Sequence, residues 1–248
     1  MKNHLTLLFL LLIAANCSAQ VNVYDGFETA TLGKLWRTDR MVKTALEMQA
    51  TIFRKGHSAA KITLRSGDVY ESGDSKSLDT ERDELCEVSK LMSVEDKIYE
   101  YRVSLFLPDS FPIVPTRLVI AQWKQYCPED VCTDSSPVLA IRYVSGKLYI
   151  TVKTDTTTQT IFKTKNEVRN QWLDFTFKIK FSRLDSGFVK AWLNDKEIAD
   201  YRGATCYSSA KGFADKGYFY FKTGLYRDLM SEPMTIYIDE YSKKEVTE

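Results

Sequence analysis

Period-two alternation of side chains, repeated in segment after segment with no long helical run between, constrains this chain more than any other feature. Its richest example is Tyr218-Phe219-Tyr220-Phe221-Lys222-Thr223-Gly224-Leu225-Tyr226. In a strand, successive side chains point to opposite faces. Phe219, Phe221 and Leu225 then share an apolar face, and Tyr218, Tyr220, Lys222 and Tyr226 share the other. A face of phenols and an ammonium makes a poor core. It suits the floor of a groove that holds a polar, anionic chain. Phe175, Phe177, Ile179 and Phe181 alternate with Thr176, Lys178 and Lys180 in the same way, as a half-buried strand does.

Strand patterns run from end to end: 21–27, 59–65, 81–88, 98–107, 117–125, 138–144, 147–153, 172–181, 188–193, 217–225 and 235–241. The turns between them carry Gly, Asp, Asn and Ser, as at Ser145-Gly146, Asp185-Ser186-Gly187 and Asn194-Asp195. A short helix is expected over 38–48. Many short strands without βαβ alternation predict an all-β sandwich of two antiparallel sheets. No linker or repeat divides the chain, so residues 20–248 are expected to form one domain.

The N-terminus reads as a leader. Lys2 precedes the apolar run Leu5 to Ala15, and Cys17-Ser18-Ala19 offers small residues for cleavage before Gln20. Lipid attachment at Cys17 is the rival processing route, and Asn16 before it fits poorly. Export to the periplasm or beyond is expected either way. Removing residues 1–19 leaves 229 residues with 33 basic and 33 acidic side chains, because Lys2 is the segment's only charge. A neutral chain gives no global case for nucleic acid or a membrane surface, and the apolar run is too short for a comfortable span. A monomer is expected. Four cysteines remain, and four permit three pairings. Cys127 and Cys132 bracket a small loop, which leaves Cys86 for Cys206. Zinc has little support, since the mature chain holds one histidine, His57, in the turn-like Arg54-Lys55-Gly56-His57-Ser58.

Two further segments split their faces. In Glu81-Arg82-Asp83-Glu84-Leu85-Cys86-Glu87, the side chains of Arg82, Glu84 and Cys86 share a face. In Arg117–Gln125, Leu118, Ile120, Gln122 and Lys124 share one, with Val119, Ala121 and Trp123 opposite. Arg82-Asp83-Glu84-Leu85, Gln122-Trp123-Lys124 and Tyr220-Phe221-Lys222-Thr223-Gly224-Leu225-Tyr226, in that order, resemble the motifs of the jelly-roll polysaccharide lyases. The overall layout is similar to the heparin-lyase-I and glucuronan-lyase group. It has Asp25-Gly26-Phe27-Glu28 near the start, Trp192-Leu193-Asn194 in a hairpin and Ile238-Asp239 in the last strand. Where many relatives carry histidine after Gln-x, this chain has Lys124, a variation that resembles the jelly-roll ulvan lyases.

The resemblance implies a β-jelly-roll with a concave substrate groove and cleavage of a 4-linked uronate polymer by β-elimination. Ulvan is favoured, with glucuronan or alginate next. Tyr226 is then the proton donor to the leaving oxygen, alone or with Lys124 as base. Gln122 and Arg82 neutralise the uronate carboxylate, and Glu84 orients Arg82. Glu84, Arg142, Tyr218, Tyr220 and Lys222 are further candidates to contact substrate, with Tyr143 and Lys153 behind them. Free tyrosine and lysine both titrate near ~10, so either base depends on neighbouring cations to lower that value. Metal catalysis has no support in the residues, while Glu28 and Asp239 resemble a pair that holds a structural Ca²⁺ in some relatives.

Two other functions fit the same sandwich. A carbohydrate-binding module would use the aromatics without an ordered Gln, Arg and phenol around one carbon. A glycoside hydrolase would need two carboxylates flanking the bond. Glu81, Asp83 and Glu87 share a face with Leu85, which points them away from the groove.

Overall fold

The computed structural model describes residues 20–69, 71–72, 75–76, 79–128, 132–133 and 136–247. The expected leader and Cys17 lie outside them. The strands are β1 (Asn22–Asp25), β2 (Trp36–Arg37), β3 (Leu46–Gln49), β4 (Ala59–Leu64), β5 (Glu71–Ser72), β6 (Ser75–Lys76), β7 (Thr80–Glu87), β8 (Ser93–Val94) and β9 (Ile98–Phe106). They continue as β10 (Leu118–Gln125), β11 (Leu139–Val144), β12 (Lys147–Lys153), β13 (Thr158–Lys163), β14 (Trp172–Lys180), β15 (Phe188–Leu193), β16 (Lys196–Arg202), β17 (Tyr218–Asp228) and β18 (Met234–Val246). Each expected strand is present; 147–153 and 188–193 match to the residue, and the others shift at one or both ends. The expected helix over 38–48 is not: turns there lead into β3, which pairs with β4. Among the described residues no helix is long and apolar enough to cross a membrane.

Two eight-stranded antiparallel sheets form a β-jelly-roll sandwich. The back sheet runs β16-β15-β14-β9-β18-β4-β3, with β1 on β18. The groove sheet runs β13-β12-β11-β10-β17-β7-β2, with β8 on β17. Odd-numbered residues of β14 and β17 meet between the sheets, where Phe175, Phe177, Ile179, Phe219, Phe221 and Leu225 are buried with Trp123 and Tyr241. Trp123 packs on Phe177 and Phe221 with ring centroids 4.7 Å and 4.9 Å apart. Burial of this apolar surface, at roughly 25 cal/mol per Å², drives the sandwich together and leaves the even-numbered face of β17 outward.

Bulges shape the outward face. The register of β10 slips between Val119 and Ala121 against both β11 and β17. A bulge bends its strand and re-aims side chains. Here Leu118 and Ile120 join the core and Val119 turns outward, opposite Tyr226 and Arg142. The expected sharing of one face by Leu118, Ile120, Gln122 and Lys124 therefore holds only for the last two. Gly224 has φ 138°, and a Cβ there would lie 2.3 Å from the Asp83 carbonyl oxygen. Only glycine lets β17 approach β7 this closely.

Cys127 and Cys132 form a disulfide, as their spacing suggested. Cys86 and Cys206 do not pair; both thiols are free and buried. The groove sheet separates them: Cys86 shares an outward row with Lys222 and Arg37, whereas Cys206 belongs to the core. Burial pushes the Cys86 thiol up to about 11 and the Cys206 thiol higher still. Peptide mapping of the oxidised protein should thus recover Cys127 linked to Cys132. Cys86 and Cys206 should alkylate only after unfolding; a Cys86–Cys206 cross-linked peptide would contradict this fold.

Candidate active site on the groove sheet

β7, β10, β11 and β17 lie side by side, and their register brings the expected residues onto one face. Arg82 stands opposite Tyr226, Cys86 opposite Lys222, Lys222 opposite Gln122 and Tyr220 opposite Lys124. Arg142 faces Val119 in the same layer. Arg142 and Tyr143, neighbours on one strand, divide between the faces. Tyr143 is buried in the core, and Arg142 points outward and donates to the Thr151 hydroxyl at 3.2 Å.

Beneath this surface lies a locked trio. Gln122 Nε2 donates to one Glu84 oxygen and Lys222 Nζ to the other. All three side chains are buried, Lys222 completely so. Burial alone would raise the Glu84 carboxyl. The charges of Lys222 and Arg82, with the hydrogen bonds from Lys222 and Gln122, overcome it and hold the group below its usual range. One expectation is corrected here. Lys222 and Glu84 are not substrate contacts: Lys222 is completely buried, and both Glu84 oxygens accept within the trio. Glu84 anchors Gln122 and Lys222 by hydrogen bonds, and the Arg82 charge acts on it. One amide N–H of Gln122 remains to point at a ligand.

Tyr226 is half-buried, with the Arg82 guanidinium over its ring at 4.2 Å and that of Arg117 at 5.7 Å. Lys124, also half-buried at the surface, is pushed down to about 7. Burial is the largest cause, followed by the neighbouring charges of Lys222 and Arg40; Glu84 opposes them. At neutral pH a large fraction of Lys124 is therefore an uncharged amine. Tyr220, across from Lys124, is pushed up to about 12 by burial and stays a neutral phenol. Tyr218 is exposed at the end of the same strand. Lys153, on the outward face of β12, donates to the Ser136 hydroxyl at 3.1 Å.

Arg40 and Arg117 were missed in the sequence. Arg40 sits in a turn whose carbonyl accepts the Glu84 backbone N–H. Its charge acts on Lys124, Tyr220 and Cys86. Neither arginine lies in a motif, and only the folded register brings them to the groove.

The inward acids are all engaged. Glu81 accepts from Arg227 at 2.9 Å, Asp83 from the Val42 backbone N–H at 2.8 Å, and Glu87 from Tyr241 and Lys243. The outward face carries two carboxylates here, and cations hold both: Glu84 is locked by Lys222, and Asp228, two residues beyond Tyr226, meets Arg117 at 2.6 Å. Two opposed carboxyl groups, which hydrolysis of a glycosidic bond requires, are not available there.

His57 and the Glu28–Asp239 pair lie elsewhere. His57 Nδ1 meets Glu28 at 2.7 Å, and the His57 backbone N–H donates to the same carboxylate. Asp239 accepts the backbone N–H groups of Arg54, Lys55 and Glu240. These two acids fasten the 54–57 turn. Among the described residues no group of three His, Cys, Asp or Glu could hold a metal.

The family model described as "Polysaccharide lyase" matches residues 27–242. Among solved structures, the chain is similar to an endo-β-1,4-glucuronan lyase from the fungus Trichoderma reesei, with TM-score 0.69 and 16% identity over 90% of this chain and 95% of that one. It is also similar to a family 7 alginate lyase solved with product, with TM-score 0.56 and 16% identity over 83% of this chain and 85% of that one. A third match is a PL-14 alginate lyase from Aplysia kurodai, with TM-score 0.54 and 8% identity over 82% and 87% of the two chains. At such identities these structures establish the shared fold. No curated protein matches the chain.

Proposed function

The chain belongs to the polysaccharide lyase family, and from that premise we propose that it cleaves a 4-linked uronate polymer by β-elimination in the groove, with ulvan the favoured substrate and glucuronan or alginate next. One observation carries the reading: Tyr226, Arg82, Gln122 and Lys124 share one outward face on which the nearby carboxylates, Glu84 and Asp228, are each held by a cation. In the reaction the C5–H and C4–O4 bonds break, a C4=C5 double bond forms, and O4 leaves with a proton. C5–H is a weak acid, so charge that builds on the uronate carboxylate must be met by fixed donors. Arg82 and the remaining Gln122 N–H fill that role. Tyr226 gives O4 its proton. The Lys124 amine, a base near neutral pH, takes the C5 proton where the sugar presents it on the side away from Tyr226. Where both lie on one side, Tyr226 serves both steps.

Ulvan is favoured because Arg142 stands beside Arg82 and Tyr226 in the same layer of the groove, and guanidinium forks suit sulfate as well as carboxylate. The disulfide fits an oxidising compartment and thus secretion. Incubation with ulvan, glucuronan, alginate and heparin tests the reading. Ultraviolet absorbance from an unsaturated uronate is expected, strongest on ulvan. New reducing ends without that absorbance would indicate a hydrolase, and binding without turnover a carbohydrate-binding module.

A pH dependence follows from Lys124. The amine is active when unprotonated, so turnover of an iduronate-containing polymer should rise as pH passes upward through about 7. K124A should lose that limb and cost more on iduronate than on glucuronate. Equal losses on both sugars would remove Lys124 from the chemistry.

A further inference from the structure

The outward face of the back sheet carries a second cluster that the groove does not use. Phe188, Lys190 and Trp192 alternate on the outer face of β15, with Phe188 buried under Arg202 and Lys190 and Trp192 partly exposed, while Val189 and Ala191 are buried on the inner side. With Lys178 of β14 and Arg202 of β16 they line a shallow pocket of about 450 Å³. Lys178 and Lys190 are direct cross-strand partners. Like charges placed opposite each other destabilise a sheet, so the pairing is a cost that folding alone does not explain. Counter-charge is short. Asp200 meets Lys190 at 3.1 Å and Arg202 at 3.3 Å, shared between two cations. Glu100, across from Lys178 on β9, is taken by Arg102 and Lys244, both at 3.0 Å. Lys178 has no ion-pair partner among the described residues. Arg202 lies over the Phe188 ring at 4.9 Å, which holds its charge at the pocket rim, and the Trp192 indole is partly exposed beside it.

We propose that this pocket is a second, non-catalytic binding site for an anionic polysaccharide, in which Trp192 stacks on a sugar ring while Lys178, Lys190 and Arg202 meet its carboxylate or sulfate groups. The ligand class rests on the reading of the groove as a uronate-polymer site. Indole and guanidinium faces suit the flat apolar side of a sugar and its anionic substituents respectively. The position also fits. β16 is the edge strand that abuts β13, the edge of the groove sheet. Lys163 of β13 lies over the Tyr149 ring of β12 at 4.9 Å on that flank. A long polyanion leaving the groove across β12 and β13 therefore reaches the pocket by turning one edge, and a short oligosaccharide does not.

The test uses the full chain in gel retardation by ulvan, glucuronan and neutral dextran, with Y226F as the parent so that ligand survives. K178S/K190S and, separately, W192S are placed on that parent. Retardation by at least one polyanion is expected, weakening several-fold in each variant and with rising salt, and absent for dextran. In the active background, the same substitutions should raise KM on long polymer and leave turnover of a tetrasaccharide unchanged, which also verifies folding. Unchanged retardation in both variants, or no retardation of the parent by any polyanion at low salt, would overturn the site. That result is distinct from failure of the groove reading, which shows as no unsaturated product from the unmodified enzyme.

Discussion

Replacing Tyr226 by phenylalanine is expected to lower turnover by roughly 10²–10⁴-fold, the range for loss of one positioned acid or base, and by more where the phenol serves both steps. The ring would keep its place under the Arg82 guanidinium at 4.2 Å, so folding and polymer binding should survive. The expected signature is a fall in kcat with little change in KM. A variant with full turnover would show that another group protonates O4. Tyr220, the phenol across from Lys124, is an alternative, but it is buried and pushed up to about 12, so Y220F should cost far less.

The second large effect belongs to Glu84. E84Q leaves the Lys222 ammonium fully buried without a carboxylate. Breaking a buried pair by removing one partner costs about 3–5 kcal/mol, a large share of the stability of an ordinary domain. Denaturant unfolding should show that loss directly. Replacing both partners, as in E84L/K222M, removes the stranded charge and should recover most of the stability. Activity should not return with it, because Gln122 Nε2 then has no acceptor to hold the amide toward the substrate. Recovery of both together would mean that Glu84 supports the fold alone and has no part in positioning Gln122.

The legible parts of this site are those where alternation runs unbroken. β7 and β17 keep strict period two through Arg82–Cys86 and Tyr218–Tyr226, so their faces could be assigned from the residues. β10 could not, since the bulge at Val119 and Ala121 inverts the pattern for its first half, and apolar Leu118, Val119 and Ile120 give no sign of where the slip falls. β13 and β16 were missed because their mostly polar, exposed residues have no apolar stripe to announce a strand. The burial of Lys222 depends on Glu84, 138 residues away in the chain. A lysine on a polar face reads as solvent-exposed until its partner is seen. Arg40 lies in a turn, where no periodicity marks which way a side chain points. The Cys86–Cys206 expectation failed for a similar reason: pairing by elimination ignores the sheet that stands between the two thiols.

Elimination through Tyr226 and hydrolysis leave products of different mass. Mass spectrometry of oligosaccharides released from ulvan or glucuronan separates the two. Elimination gives products whose new non-reducing ends are one water lighter than hydrolysis would leave, formed by the unmodified enzyme and lost in Y226F. Products carrying the full mass of water at both new ends, or unsaturated products released equally well by Y226F, would contradict elimination through Tyr226.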